Sequence, residues 1–408
     1  MMGSVAFALV TLLTLLANSV PASARKTDAT LRQSITKHGY PVELHRVTTQ
    51  DGYILTLVRI PNSDHPEKAP VLLLHGLLCS SIDWTVQGPD RSLAFIAADE
   101  GYDVWLGNVR GNTFSKEHES LNSRDREFWN FSFHEIGLYD VPAMVDHIRG
   151  NTSTDAIHFV GHSQGGAAFL VMASLRPEYN ARFASVHLMA PAAYVHHATS
   201  PLVEFAARLD ELEMFVKLTR TYELGGRGPG STMDLLYTGH KTGLVPTDLV
   251  LMNVWYFVGT HDSINRSVVS EILANTPAGC SVHQLLHFGQ NYRAKAFQMF
   301  DYGPTDNVKR YGTKIPPEYP LQAVTAPIIL YYSEGDIFVA AQDVQELTDR
   351  LPNVVHSHRI NVRRWNHIDF LFDIGAHRLY RTVVGSLRNQ TTDSHRNELV
   401  ETYFTFNF

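Results

Sequence analysis

Residues 161–165, Gly-His-Ser-Gln-Gly, have the composition and spacing that point most directly to chemistry. They match the Gly-x-Ser-x-Gly pattern, which presents a serine nucleophile on a strained turn between a strand and a helix. A short, mostly apolar run at 156–160 predicts the strand, and small and apolar residues at 166–175 predict the helix. A glycine-rich turn that merely contains a serine is the alternative. The flanking elements favour Ser163 as a catalytic nucleophile.

A serine hydroxyl becomes an effective nucleophile when a base accepts its proton, and that base is usually a histidine oriented by a carboxylate. On sheets of this type, the order along the chain is Ser, then Asp or Glu, then His. Asp336 lies in a tight turn directly after a strand-like run at 327–333. His367 lies between a strand-like run and a helical pattern, at the same predicted edge of the sheet. The sequence therefore predicts a triad of Ser163, Asp336 and His367.

Four other side chains compete for the acid and base positions. Glu334 and Asp369 are the rival acids, and His356 and His358 are the rival bases. Both rival histidines lie within an alternating strand pattern, where a packed or solvated role is expected. Asp369 is placed to cap the helix that follows it.

Main-chain N–H groups must meet the negative oxygen that develops when an ester carbonyl is attacked. We predict that one belongs to Gln164, the residue after the nucleophile, and the other to Leu77, in the loop after the apolar run at 71–74. The contribution of Leu77 comes from its backbone, so its side chain does not matter. The alternative is that residues 75–76 merely turn the chain.

Strand-like and helical runs alternate over the first half of the chain, starting with two strands joined by a hairpin signal at 50–52. This alternation of strands and helices predicts an α/β fold with a mainly parallel sheet covered by helices. It stops near residue 193 and resumes after 319, which indicates an inserted helical cap or lid, with a mobile loop at 225–230. The expected division is a signal peptide at 1–24, core segments at 25–192 and 320–408, and the cap at 193–319.

Composition limits the possible partners. The chain has 408 residues, 44% of them hydrophobic, and a net charge of -7. The apolar content supports a substantial core, and the absence of a long basic run argues against nucleic acid as a partner. Two cysteines, Cys79 in a loop near the predicted active site and Cys280 in the predicted cap, are expected to be free thiols.

The N-terminal segment of the sequence predicts that the protein is exported. Residues 5–17 are almost wholly apolar, and Ala-Ser-Ala at 22–24 supplies a cleavage site, although no basic residue precedes the apolar run. The run is short for a membrane span, so we expect cleavage rather than an uncleaved anchor. Four glycosylation sequons agree with export, and they begin at Asn130, Asn151, Asn265 and Asn389. The first lies in an aromatic run whose burial would block modification.

Other clusters are interpreted as structural. Residues 108–112 are expected to form a loop tied down by a buried arginine, rather than to contact substrate. His134 and Glu135 lack a second histidine at helical spacing, so no zinc site is predicted there. No phosphate-binding glycine loop is present, and we expect neither a metal nor a cofactor.

The chain resembles the acid lipase family, which includes gastric and lysosomal lipases. The motifs that carry the resemblance lie at residues 38–41, 49–53, 75–78, 105–112, 128–133, 161–165, 300–303 and 366–370. The resemblance implies an α/β-hydrolase core with a helical cap and lid, and a secreted or lysosomal enzyme. It also implies the roles predicted above for Ser163, Asp336, His367, Leu77 and Gln164.

The implied reaction is the hydrolysis of triacylglycerols or cholesteryl esters at a lipid–water interface, without a cofactor. Two alternatives are a carboxylesterase acting on soluble esters and a non-catalytic lipid-binding or storage protein built on a lipase fold. Vertebrate members carry cap cysteines that form a disulfide, whereas this cap has Cys280 alone. The segment 225–230 also departs from the family pattern, which bears on chain-length preference.

Overall fold

The structure is a computed structural model that describes residues 24–62, 65, 68–208, 218, 220–228, 231–260, 263–387 and 402–404. The predicted signal peptide, apart from Ala24, lies outside the described residues. So do the sequon at Asn389 and parts of the predicted cap.

One mixed sheet forms the centre of the molecule. In the described residues its strands run in the spatial order β1-β2-β4-β3-β6-β7-β10-β11-β12, with β5 beside β2. The strands are β1 (Glu43–Thr48), β2 (Tyr53–Ile60), β3 (Val71–Leu74), β4 (Val104–Gly107), β5 (Glu117–His118), β6 (Ile157–His162), β7 (Phe183–Met189), β8 (Glu223–Leu224), β9 (Cys280–Ser281), β10 (Ile328–Ser333), β11 (Val354–Ile360) and β12 (Thr402–Phe404).

The pairing of the strands confirms the predicted α/β class. Strands β1, β2 and β4 pair antiparallel, and every pair from β4 through β3 to β12 is parallel. The predicted hairpin joins β1 to β2, where Gly52 adopts a φ of +93°. All residues of β3 and β6 are buried, as expected for strands covered on both faces.

Helices cover the sheet. They are α1 (Ala24–Thr36), α2 (Leu93–Asp99), α3 (Phe133–Glu135), α4 (Val141–Thr152), α5 (Gln164–Leu175), α6 (Pro201–Ala206), α7 (Thr232–Lys241), α8 (Thr247–Val258), α9 (Val269–Asn275), α10 (Val282–Ala294), α11 (Pro304–Tyr311), α12 (Ala341–Arg350), α13 (Asp369–Phe372) and α14 (Ala376–Ser386). A π-helical stretch, Ile136–Asp140, connects α3 to α4. There Gly137 lies so close to α5 that a Cβ would come within 2.6 Å of the Ala168 carbonyl oxygen.

The segment between β7 and β10 differs from a purely helical insertion. It holds α6 to α11, but strands β8 and β9 also form a two-stranded antiparallel ribbon within it. The described part of the glycine-rich loop is not free of contacts: Gly225, Gly226 and Gly228 are buried. Arg227 donates hydrogen bonds to the carbonyl oxygens of Pro277 (2.7 Å) and Leu273 (2.6 Å). These hydrogen bonds anchor a segment for which the sequence alone predicts mobility.

No helix among the described residues is both long enough and apolar enough to cross a bilayer.

Candidate active site

Ser163 occupies the turn between β6 and α5. Its backbone has φ 54° and ψ −118°, a conformation that is unfavourable for a residue with a Cβ. The turn is held by main-chain hydrogen bonds: the Ser163 N–H donates to Met189 (2.9 Å), and its carbonyl accepts from Gly166 and Ala192. The sharp turn directs the hydroxyl away from the sheet at the carboxyl end of β6.

Glycine is required beside the serine because α5 begins against the end of β3. A Cβ on Gly165 would lie 2.5 Å from the Leu74 carbonyl oxygen and 2.9 Å from that of His75. A Cβ on Gly161 would lie 2.9 Å from the Gly166 nitrogen. The two glycines of the motif therefore have a steric function, as its strand-turn-helix context predicts.

The three residues of the predicted triad meet at one edge of the sheet. The Nε2 atom of His367 lies 2.8 Å from the Oγ of Ser163, and its Nδ1 lies 2.7 Å from Oδ2 of Asp336. All three residues are buried, with exposed fractions of 7% for Ser163, 4% for Asp336 and 6% for His367. The arrangement has the geometry of a nucleophile, a base and an orienting acid.

Neighbouring groups fix the orientation of Asp336 and His367. The Oδ1 atom of Asp336 accepts hydrogen bonds from the backbone N–H groups of Phe338 (2.8 Å) and Val339 (2.9 Å), which leaves Oδ2 for the imidazole. The Phe338 ring stacks on His367 at 5.0 Å between centroids. The Nε2–H of His162 donates to the His367 carbonyl oxygen at 3.0 Å.

The rival acids lie elsewhere. Glu334 pairs with Arg359 at 2.7 Å. Asp369 accepts a hydrogen bond from the Asn366 backbone N–H at 2.6 Å, and its own N–H donates to the Asn366 side chain. These reciprocal hydrogen bonds hold Asp369 against Asn366 at the start of α13.

The rival bases also lie away from the serine. His356 and His358 are both in β11, where the His358 ring stacks on Tyr331.

Leu77 lies in a tight turn closed by the Cys79 N–H, which donates to the Gly76 carbonyl at 3.2 Å. The following residue, Leu78, has a φ of 62°. Gln164 is the first residue of α5, so its N–H belongs to the set that has no acceptor within the helix. A Cβ on Gly76 would lie 3.0 Å from the Ser163 Cβ, which shows how closely this turn approaches the serine.

The buried imidazole of His75 forms hydrogen bonds with this turn and with the loop at 108–112. Its Nδ1–H donates to the Gly76 carbonyl (2.8 Å), and its Nε2 accepts from the Val109 N–H (3.3 Å) and the Asn112 side-chain amide (3.0 Å). Complete burial lowers the pKa of His75 to about 4, so its imidazole is neutral near pH 7. A neutral ring can donate at one nitrogen and accept at the other, as these contacts require.

The insertion reaches both sides of this turn. The Ala278 N–H donates to the Leu78 carbonyl at 2.6 Å, and the Gln284 side chain donates to Oε1 of Gln164 at 3.0 Å. An apolar cluster in the insertion packs against Leu77 and Leu78. Its buried members are Ala206, Leu224, Cys280, Val282, Leu285, Leu286 and Phe300. Apolar side chains of the insertion therefore lie against the turn that approaches the serine.

The loop at 108–112 has the structural role that the sequence favours. Arg110 is 1% exposed. It donates to Asp140 (2.7 Å) and, through both terminal nitrogens, to Asp51 (2.6 and 2.8 Å). Cys79 and Cys280 are both free thiols.

Three sequon asparagines are in the described part of the chain. Asn151 is exposed, and Asn265 is half-buried. Asn130 is exposed as well, although the aromatic side chains just before it are buried. Burial therefore does not block the sequon in the aromatic run.

Sequence reasoning missed His162, Phe338 and Gln284, which contact the triad or the turn beside it. His162 carries a local signal because it lies inside the Gly-x-Ser-x-Gly motif. Phe338 and Gln284 carry none, because their positions beside His367 and Gln164 arise from tertiary packing.

Metal-binding geometry occurs at a different place. Among the residues that the structure describes, His196, His197 and Asp343 form a group with metal-ligand spacing. None of the three belongs to the predicted triad.

The chain matches two family models. A model described as a partial alpha/beta-hydrolase lipase region matches residues 31–88, and a model of the alpha/beta hydrolase fold matches residues 69–373.

Named relatives cover most of the chain. Lipase 3 of Drosophila melanogaster is 39% identical over 84% of this chain and 89% of its own length. Gastric triacylglycerol lipase of Rattus norvegicus is 36% identical over 86% and 89%. Human lysosomal acid lipase/cholesteryl ester hydrolase is 32% identical over 89% and 92%. A solved structure of DcsB with its substrate analogue matches 85% of this chain and 99% of its own at a TM-score of 0.51, a likeness of fold alone at 12% identity.

Proposed function

Because this chain belongs to the acid lipase family of ester hydrolases, we propose that it hydrolyses triacylglycerols or cholesteryl esters through an acyl-enzyme on Ser163. The observation that carries the proposal is the hydrogen-bonded series Ser163 Oγ, His367 imidazole and Asp336 carboxylate, at 2.8 and 2.7 Å. These contacts bring the proton acceptor to the nucleophile before substrate arrives.

In the first half of the reaction, Nε2 of His367 accepts the hydroxyl proton while Oγ of Ser163 attacks the ester carbonyl carbon. The backbone N–H groups of Leu77 and Gln164 stabilise the oxygen that becomes negative. The imidazolium then donates its proton to the departing alcohol as the ester C–O bond breaks. Asp336 holds the imidazole in the required tautomer and stabilises its positive charge.

In the second half, water takes the place of the alcohol. His367 accepts a proton from water, whose oxygen attacks the acyl carbon, and the proton returns to Oγ as the fatty acid leaves. The apolar cluster beside Leu77 and Leu78 supports a binding site for the acyl chain.

Residues 193–319 act in this proposal as the cap over the site. Their outer surface favours a lipid interface over a soluble ester, because large apolar side chains on α7, α8 and the segments beside them face solvent. These side chains are Leu218 (77% exposed), Leu235 (66%), Leu244 (82%), Leu249 (50%) and Met252 (62%). Exposed apolar side chains of this size favour contact with another apolar surface.

We also propose that the protein is exported. The apolar N-terminal segment and the sequons support this step, and Asn130 and Asn151 are accessible to glycosylation. Secretion is the first expectation, with delivery to lysosomes as the alternative.

Two measurements test the function. A fluorophosphonate probe should label the folded protein at Ser163, and the label should be absent after Ser163→Ala. Hydrolysis of a short-chain triacylglycerol should then be followed across its solubility limit. A rise in rate when emulsion droplets form supports the lipase. A rate that saturates below the limit points to the carboxylesterase, and failure to label points to the non-catalytic lipid-binding protein.

A further inference from the structure

His196, His197 and Asp343 form a cluster that the catalytic proposal does not use. The two histidines follow β7 near the start of the insertion, and Asp343 lies in the first turn of α12. Tertiary folding joins residues 146 positions apart in the sequence. We propose that these three side chains bind a Zn²⁺ ion.

The distances suit a zinc ion. The Nδ1 atoms of His197 and His196 lie 2.9 and 3.6 Å from Oδ1 of Asp343, and the three ligand atoms lie within 4.8 Å of one another. Ligands about 2.0–2.1 Å from a tetrahedral zinc ion are separated by about 3.3–3.4 Å. The observed distances bracket that separation, so small rotations of the rings admit the ion.

The chemical types of the three ligand atoms indicate which metal ion the cluster would bind. Two imidazole nitrogens and one carboxylate oxygen favour Zn²⁺ over Mg²⁺ or Ca²⁺, which prefer all-oxygen sites. His197 is exposed, so the ion can enter from solvent and a water molecule can complete its coordination.

Groups around the cluster already orient the ligands. The Nδ1 of His196 is buried and has no hydrogen-bond partner, whereas its Nε2 lies 3.4 Å from Oε2 of Glu346. Glu346 is held in turn by Arg350 at 2.8 Å. A carboxylate on the far nitrogen is the usual support for a zinc-bound histidine, because it fixes the tautomer that leaves the other nitrogen free.

Asp343 is supported in a similar way. Its carboxylate accepts the backbone N–H of His197, at 3.2 Å to Oδ2. Its side chain is fully buried. A buried carboxylate beside a buried, unpaired imidazole nitrogen is a costly arrangement, and a cation between the two groups would offset that cost.

The ion would connect two parts of the fold. Just after the histidines, the N–H groups of Thr199 and Ser200 donate to the carbonyl of Ile337, which adjoins Asp336. Zinc bound by His196, His197 and Asp343 would reinforce this junction between the start of the insertion and the loop that carries the triad acid. Its main effect would be on stability.

The test uses purified full-length protein, treated with EDTA and then dialysed. Titration with Zn²⁺ should give one ion per chain, and a hundredfold excess over the dissociation constant should raise the melting midpoint by about 3 °C. Co²⁺ in place of Zn²⁺ should give the visible absorption of a four-coordinate ion.

Single substitutions test whether the proposed ligands form the zinc site. His197→Gln removes one ligand from an exposed position and should weaken Zn²⁺ binding at least tenfold. The matched control is His147→Gln, which disrupts the hydrogen-bonded histidine pair His147 and His45 (3.1 Å) and should leave binding unchanged.

The proposal is overturned by any of three results. The first is no zinc binding at millimolar metal, in which case His197 simply donates a hydrogen bond to Asp343. The second is unchanged binding in His197→Gln. The third is loss of binding in His147→Gln. None of these results depends on the catalytic proposal, because binding and melting are measured without substrate.

Discussion

Nε2 of His367 lies 2.8 Å from Oγ of Ser163, although 204 residues separate the two in sequence. The parallel sheet explains this proximity, because the carboxyl ends of its strands lie along one edge. Ser163 follows β6, and His367 comes from the loop after β11. The intervening insertion therefore leaves the contact intact.

Two substitutions of Ser163 test its catalytic role and the strain in its backbone separately. Ser163→Ala should lower kcat by about 10³-fold or more, because it removes the nucleophile. Ser163→Gly should be equally inactive but more stable than Ser163→Ala by about 1–2 kcal/mol, because glycine adopts the φ of 54° without strain. Urea unfolding of both variants measures the difference. Equal stability would show that the turn is not strained.

The acid can be tested against its nearest rival. Asp336→Asn should lower kcat by about 10³-fold or more, because an amide favours the wrong imidazole tautomer. Glu334→Gln, two residues away, should keep nearly the full rate because Glu334 pairs with Arg359 and not with His367. Steady-state rates on a soluble ester compare the two variants. A large loss in Glu334→Gln alone would reverse the assignment.

Alanine substitutions at Gly165 and Gly150 should change the free energy of unfolding in opposite directions. Gly165→Ala should destabilise the fold by about 3 kcal/mol, because the new Cβ meets the Leu74 carbonyl oxygen at 2.5 Å. Gly150→Ala, on the exposed side of α4 with no atom within 4 Å of the new Cβ, should stabilise it by up to about 1 kcal/mol. Urea unfolding measures both changes. The same sign for both variants would contradict the steric explanation.

Buried histidines should make stability depend on pH. Burial lowers the pKa of His158 to about 4 and that of His187 to about 3, from about 6.5 in the unfolded chain. Below pH 6.5 the unfolded chain therefore binds more protons than the folded protein, so the free energy of unfolding falls as the pH falls. Each such group contributes up to about 1.4 kcal/mol per pH unit, down to its folded pKa.

Unfolding between pH 7.5 and 4.5 measures this dependence. His187→Gln keeps polar groups near Tyr331 and Ser185, its partners at 3.0 Å, but does not titrate. The slope of stability against pH should be shallower in this variant. An unchanged slope in His187→Gln would show that His187 does not contribute to acid sensitivity.

The exposed apolar side chains on the insertion should serve the lipid interface and not the chemistry. Leu244→Ser combined with Met252→Ser should reduce the rate on emulsified triacylglycerol several-fold and leave the rate on a soluble ester unchanged. Ile374→Ser, an exposed apolar residue outside residues 193–319, is the control and should change neither rate. Equal losses on both substrates would point to damage of the active site.

The sequence by itself determined the features of the fold that depend on residues close together in the chain. The Gly-x-Ser-x-Gly turn, the hairpin at Gly52 and the buried strand β3 follow from residue type, spacing and apolar pattern over a few positions. The position of Leu77 in a turn after β3 was likewise predictable. The mainly parallel sheet also followed, because alternating strands and helices admit few other arrangements.

Tertiary structure decided the contacts between distant residues. Sequence order left Glu334, Asp336 and Asp369 as possible acids, and only side-chain direction distinguishes them. Asp336 faces the imidazole, Glu334 faces Arg359, and Asp369 accepts the Asn366 backbone N–H. The cluster of His196, His197 and Asp343 carries no motif. A motif records spacing along the chain, whereas these contacts depend on how separate elements pack in three dimensions.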